Sequence, residues 1–146
     1  MADLNFFVKG ASESPTKFTA EARQFTITID EPPALGGDDQ GANPVEYLLA
    51  SYAGCLNVMG HLIAGELGFK LDKLEIEVTG NINPDRLFGK DFTERSGFKK
   101  IDVKLKPHAQ VSQEVLNQWM REVENRCPVN DNLREKTPTE IEVSLS

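Results

Sequence analysis

Apolar and polar positions alternate most regularly over residues 24–30, where Phe25, Ile27 and Ile29 are separated by threonines. That is the period-two signature of a half-buried strand. Two shorter apolar-periodic pieces, residues 5–8 and 17–21, precede it. A loop follows, Glu31-Pro-Pro-Ala-Leu-Gly-Gly-Asp-Asp-Gln-Gly-Ala, whose prolines and glycines forbid regular structure. Asn43 then supplies a helix N-cap, Pro44 suits the first helical position, and Glu46 stands where a capping box places its carboxylate. The helix is predicted to run to about Glu66 and stop at Gly68. It is apolar nearly all round (Val45, Leu48, Leu49, Tyr52, Leu56, Val58, Met59, Leu62, Ile63), which makes it a central helix covered by a sheet, a second helix or another subunit.

The period-two pattern returns over residues 71–82, with Leu74, Ile76 and Val78 on one face, and over 98–106, with Ile101, Val103 and Leu105. Between them the polar stretch 83–97 carries Pro84, Gly89 and Gly97 and reads as an extended loop. Ser112 caps a second helix to Arg126, its apolar face made of Val115, Leu116, Trp119 and Val123. Pro128 either ends this helix or begins a short turn. Residues 140–145 alternate again and predict a closing strand. The order of strands, helix, strands, helix and strand is that of an α+β fold. No internal repeat or low-complexity linker divides the chain, so residues 1–146 read as a single domain.

Composition narrows the function classes. The net charge of −7 argues against nucleic acid, because phosphate binding needs a basic surface. The start, Met1-Ala-Asp-Leu-Asn, lacks the basic region and apolar core of a secretory signal. No stretch is expected to be long and clean enough to span a membrane, since the best candidate, residues 44–64, contains Glu46, Ser51, Asn57 and His61. The expected compartment is the cytoplasm, where thiols are kept reduced.

The chain has two cysteines. Cys55 lies in the apolar helix between Gly54 and Leu56, and Cys127 ends the second helix just before Pro128. Position alone leaves two readings open for Cys55: a small apolar filler, or a nucleophile. At a helix C-terminus the dipole raises the pKa of Cys127; at the start of a following helical turn the dipole lowers it. Two cysteines far apart and two histidines at no matching spacing give no zinc site. His61 is about 240° round the helix from Cys55, and His108 follows Pro107 in a loop, so neither is assigned a role. Tyr52, three residues before Cys55 on a neighbouring face, reads as core packing, with the lining of a pocket as the alternative. Gly36-Gly37 reads as a turn and the acidic run 122–124 as a solvated helix face.

Four pieces taken in order carry a resemblance: Asp30-Glu-Pro-Pro-Ala-Leu-Gly-Gly-Asp, Asn43-Pro-Val-Glu-Tyr-Leu-Leu-Ala, Ala53-Gly-Cys55-Leu and Arg126-Cys127-Pro-Val. From Pro32 to the C-terminus the chain resembles the OsmC/Ohr family of organic-hydroperoxide peroxidases, and within it the OsmC-like branch. The resemblance implies antiparallel sheets wrapped around a long central helix plus a second helix, in an intertwined homodimer. It implies a reaction without cofactor or metal. The thiolate matching Cys55 attacks the terminal peroxide oxygen and becomes a sulfenic acid. The cysteine matching Cys127 closes a disulfide with it, and an external dithiol, of lipoyl type among the possibilities, reduces that bond. An apolar wall around Cys55 favours bulky organic peroxides.

The same resemblance implies an arginine beside the thiol and a glutamate that orients it. Arg23, in Glu21-Ala-Arg23-Gln-Phe, is the first positional candidate for the arginine, followed by Arg95 and then Arg86. In the better-known members the glutamate directly follows the proline; here Val45 does, and Glu46 comes one later. Nine residues separate Glu46 from Cys55, about 900° of rotation, which puts them on opposite sides of their helix. Glu46 is therefore either a cap or a group acting across a subunit interface. The alternative for the whole chain is a non-catalytic OsmC-like dimer that binds a small molecule and keeps its cysteines idle.

Overall fold

The computed structural model describes residues 1–146. The chain divides into two compact units, residues 1–48 and 49–146. In the first, β1 (Lys9–Ser12), β2 (Phe18–Ala22) and β3 (Phe25–Ile29) form an antiparallel sheet in that order. β1 starts later than the pattern predicts. Phe6, Phe7 and Val8 are exposed, and the paired residues are Lys9, Gly10, Ala11 and Ser12. At Gly10 the two strands come too close for a side chain: a Cβ there would come within 2.3 Å of the Thr19 carbonyl oxygen. β2 and β3 meet in a two-residue turn, Arg23-Gln24, closed by the Ala22–Phe25 pair. Arg23 takes φ +57° there, a region that costs a residue with a Cβ about 1–2 kcal/mol.

The loop after β3 is built on Asp30, which is buried. Its carboxylate accepts the N–H groups of Glu31 (2.8 Å), Asp38 (3.2 Å) and Gln40 (3.1 Å). A short 3-10 helix at Pro33–Leu35 and Gly36 at φ +88° turn the chain between these donors. α1 (Pro44–Glu66) opens with the reciprocal capping box. Asn43 Oδ1 accepts the Glu46 N–H and Glu46 Oε2 accepts the Asn43 N–H, both at 2.9 Å.

In the second unit α1 buries a stripe of Tyr52, Leu56, Gly60, Ile63 and Ala64. Gly68, at φ +76°, ends it, with the Phe69 N–H returning to the Ala64 carbonyl. Length and composition alone would let α1 cross a bilayer, since it has 23 residues and a best-window mean hydropathy of 1.3. The sequence expectation that nothing reaches that mark is thereby corrected: Glu46 and Glu66 lie at the two ends of the helix, and no Asp, Glu, Lys or Arg stands between them. The buried stripe nevertheless belongs to a protein core, packed with Trp119, Val123 and Leu71.

β4 (Lys73–Asn81) and β5 (Lys100–His108) pair as an antiparallel hairpin. Ile76–Leu105 and Val78–Val103 meet on the core face, while Glu75–Lys106 and Glu77–Lys104 face each other on the outer one. Residues 82–99 form the excursion between them. α2 (Gln113–Arg126) begins at Ser112, whose Oγ accepts the Val115 N–H at 3.2 Å. α3 (Pro128–Arg134) follows directly. Trp119, 1 % exposed, fixes α2 to α1 by donating from Nε1 to the Gly60 carbonyl at 2.8 Å. The closing strand predicted for 140–145 does not form. Ile141, Val143 and Leu145 are exposed, and a lone segment has no ladder to satisfy its backbone.

Two stability predictions follow from these contacts. Gly60→Val adds bulk where even a Cβ would meet Leu74 at 2.8 Å and the Trp119 ring at 3.1 Å. It should lower stability by about 1–3 kcal/mol in urea titrations. For Asp30, burial alone would raise the pKa, but hydrogen bonds from Gln40, Glu31, Thr16 and Asp38 outweigh it and hold the carboxyl below its ordinary 3.8. Its stabilising effect is present above that pH and is lost as the pH falls below it. Asp30→Asn should lower the melting temperature at neutral pH and flatten the acid limb of the stability profile.

Candidate functional site

Two sulfurs meet in the second unit. Cys55 is partly buried in α1 and Cys127 is 1 % exposed at the junction of α2 and α3. Their Sγ atoms lie 2.9 Å apart, in hydrogen-bond contact and beyond the length of an S–S bond, roughly 2.05 Å. The meeting is local in origin. α1 presents Cys55 one turn after Tyr52, and Pro128 forces the chain out of α2 at Cys127. Cys127 closes α2 and also caps α3, accepting the Asn130 N–H at 3.4 Å. Of the two settings open to it in the sequence, it occupies both.

The first turn of α3 addresses both thiols with consecutive amides, Val129 toward Cys55 and Asn130 toward Cys127. Asn130 is also tied on its other side. Its Oδ1 accepts from the Tyr52 hydroxyl at 2.6 Å and its Nδ2 donates to the Glu124 carbonyl at 2.8 Å. Burial raises the Tyr52 phenol pKa, keeping it a donor at neutral pH.

Burial is also what most disfavours a Cys55 thiolate. The neighbouring Cys127 sulfur adds to it, through the hydrogen bond the two thiols share and through repulsion between two negative sulfurs. Against these the Val129 amide pulls the other way, and the thiol is pushed up from 9.0 to about 11. A thiolate at neutral pH therefore calls for a positive group brought to Cys55.

The candidate cations and carboxylate stand as follows. Arg23 sits at the β2–β3 turn, its guanidinium 5.1 Å from the Phe25 ring centre. Arg86 is spent inside its own loop, donating to the carbonyls of Phe92 (3.0 Å) and Glu94 (3.2 Å). Arg95 lines a cavity of about 250 Å³ with Tyr52, Phe98, Asn130 and Arg134. Arg134, which the sequence did not single out, also borders a second cavity of about 190 Å³ beside Tyr52, Leu56 and Met120, and it pairs with Glu124. Glu46 makes its capping box in the first unit. His61 bonds its own helix at the Asn57 carbonyl, and His108 pairs with Glu75 on the hairpin surface. Asn130 and the role of Tyr52 were missed. The available signal was a polar residue three positions after a cysteine that could cap, behind a proline that leaves a carbonyl unpaired.

Replacing Cys127 by Ala removes the neighbouring-sulfur contribution but not the burial. The Cys55 midpoint in a pH-dependent alkylation series should then lie below that of the wild type.

Comparison with known proteins agrees with the fold. The family described as "OsmC-like protein" matches residues 37–142. The chain is 24% identical over 144 residues to a hydroperoxide reductase of Mycoplasma pneumoniae, covering 99% of this chain and 97% of the relative. An OsmC-like protein from the same organism has a solved structure with TM-score 0.79, 23% identity and coverage of 92% and 91%. An organic hydroperoxide resistance protein OsmC from Legionella pneumophila superposes with TM-score 0.65, 20% identity and 92% coverage of both chains. The structural likenesses carry the α+β fold alone, while the family match spans well over half of the sequence and includes both cysteines. The chain belongs to the OsmC-like family.

Proposed function

We propose that this protein is a thiol peroxidase for organic hydroperoxides. The observation that carries the reading is the pair of thiols already in contact, one in an apolar helix and one capping the next. The Cys55 thiolate attacks the terminal oxygen of a hydroperoxide. The O–O bond breaks, the alkoxide leaves as an alcohol with one proton, and Cys55 becomes a sulfenic acid. The Cys127 thiolate then attacks that sulfur, the S–O bond breaks, and hydroxide leaves as water with one proton. An external dithiol, lipoyl-type among the candidates, returns the disulfide to two thiols. The resulting alcohol needs an apolar surface to sit on, and the cavities beside Tyr52 offer Phe98, Ile101, Val103 and Leu133.

In this reading Arg23 is the cation that makes Cys55 a thiolate, and its positive φ supports the assignment. Strained backbone at an exposed arginine is the kind of feature that functional sites retain. Glu46 acts across an interface between two copies. The homodimer is supported by the apolar surface that one chain leaves open: Val58 and Leu62 on α1, Leu4, Phe6 and Phe7 near the N-terminus, and Ile141, Val143 and Leu145 near the C-terminus. A cytoplasmic setting, apart from nucleic acid and membrane, completes it. The second reading, an OsmC-like dimer that binds a small molecule with idle thiols, is favoured by one observation, the rise of Cys55 to about 11.

Stoichiometric tert-butyl hydroperoxide should consume both thiols and leave a Cys55–Cys127 disulfide by mass spectrometry, and Cys55→Ser should abolish peroxide consumption. Survival of both thiols in a modest peroxide excess selects the idle-thiol reading. Arg23→Met should move the Cys55 alkylation midpoint upward, because burial and the Cys127 sulfur then act on the thiol unopposed by that charge. Glu46→Gln keeps an acceptor for the capping box but removes the charge. If Glu46 only caps, this variant retains both stability and activity; if it orients the cation, activity falls while stability holds.

A further inference from the structure

We propose that Asn130, braced by Tyr52, is a positioning residue that holds Cys127 against Cys55 and thereby sets the rate of disulfide closure. The inference builds on the peroxidase reading above but stands on a separate geometric argument.

A continuous helix would satisfy the Glu124 carbonyl with the N–H of residue 128. Residue 128 is proline and has none, so the carbonyl is orphaned where the chain leaves α2. Asn130 repairs this by donating its Nδ2–H to that carbonyl at 2.8 Å. The same side chain accepts the Tyr52 hydroxyl at 2.6 Å, which pins it to α1 one turn before Cys55. Its backbone N–H points at the Cys127 sulfur at 3.4 Å. One residue, 5 % exposed, thus links the helix that carries Cys55, the end of α2 and the sulfur of Cys127.

Each of these bonds fixes a coordinate that disulfide closure needs. The Tyr52 bond sets the spacing of α3 from α1, the Glu124 bond sets the angle at which the chain turns out of α2, and the amide orients the sulfur. Attack of the Cys127 sulfur on a Cys55 sulfenic acid needs the two sulfurs close and aligned, a proximity effect on the second step only. Peroxide attack on Cys55 involves none of the three bonds. The predicted effect therefore divides between the two chemical steps, which a general loss of structure would not do.

The test uses the full-length protein as wild type, Asn130→Ala and Tyr52→Phe. The latter removes a single hydroxyl and keeps the ring, so it remains informative where Asn130→Ala does not fold. Equilibration in glutathione redox buffers gives the effective concentration of one thiol for the other without any peroxide. It should fall about tenfold in Asn130→Ala and severalfold in Tyr52→Phe, the scale of lost buried hydrogen bonds. After one equivalent of tert-butyl hydroperoxide, dimedone should trap a larger fraction of Cys55 as sulfenic acid in both variants than in the wild type. An effective concentration equal to the wild type in both variants overturns the proposal. If wild-type thiols ignore peroxide yet the variants lose effective concentration, the peroxidase reading fails and the positioning role stands.

Discussion

The N–H that Pro128 lacks leaves the Glu124 carbonyl without the partner a continuous helix would give it, and the geometry around both sulfurs is arranged about that gap. Because α2 cannot continue, the chain leaves it at Cys127 and restarts as α3, which turns a helix end into a helix cap. Because a partly buried carbonyl is costly to leave unpaired, the Asn130 side chain turns inward to meet it. That side chain in turn needs its own acceptor oxygen satisfied, and Tyr52 satisfies it from the opposite helix. A single missing hydrogen explains why an asparagine and a tyrosine hydroxyl lie inside an otherwise apolar cluster.

Burial and chemistry oppose each other at Cys55. The environment that keeps water away also withdraws the solvation a thiolate needs, and one backbone amide is too little to restore it. A thiolate at Cys55 therefore needs positive charge added beside it. The cations bordering the Tyr52 cavities are partly committed, Arg134 to Glu124 and Lys99 to Glu94. Lys100 pairs with Asp102, and Arg95 is the cation in that lining without a carboxylate partner.

The two long helices were readable in the sequence to within a residue because their ends carry chemistry: Asn43 with Glu46, Gly68, and Ser112. Strands were readable where one face is buried by the same unit, as in Ile76, Val78, Val103 and Leu105. The pattern misled where apolar residues have no partner within the chain. Residues 5–8 and 140–145 alternate or cluster as strands do, yet remain unpaired, because a strand is defined by a neighbour that its own sequence does not contain. The two cysteines and the family were legible from spacing and order. Asn130 was not, because its importance depends on a carbonyl orphaned six residues earlier and on a hydroxyl from another helix.

Cys127 belongs to two helices at once, as the last residue of one and the cap of the next. Its sulfur is the acceptor for a single backbone hydrogen, the one on Asn130. A sulfur engaged in a covalent bond to another sulfur offers that hydrogen a different acceptor from a free thiol. The exchange of this one amide proton with solvent is thus a native gauge of what has happened to the thiols. It is written into the backbone and needs no probe attached to either cysteine.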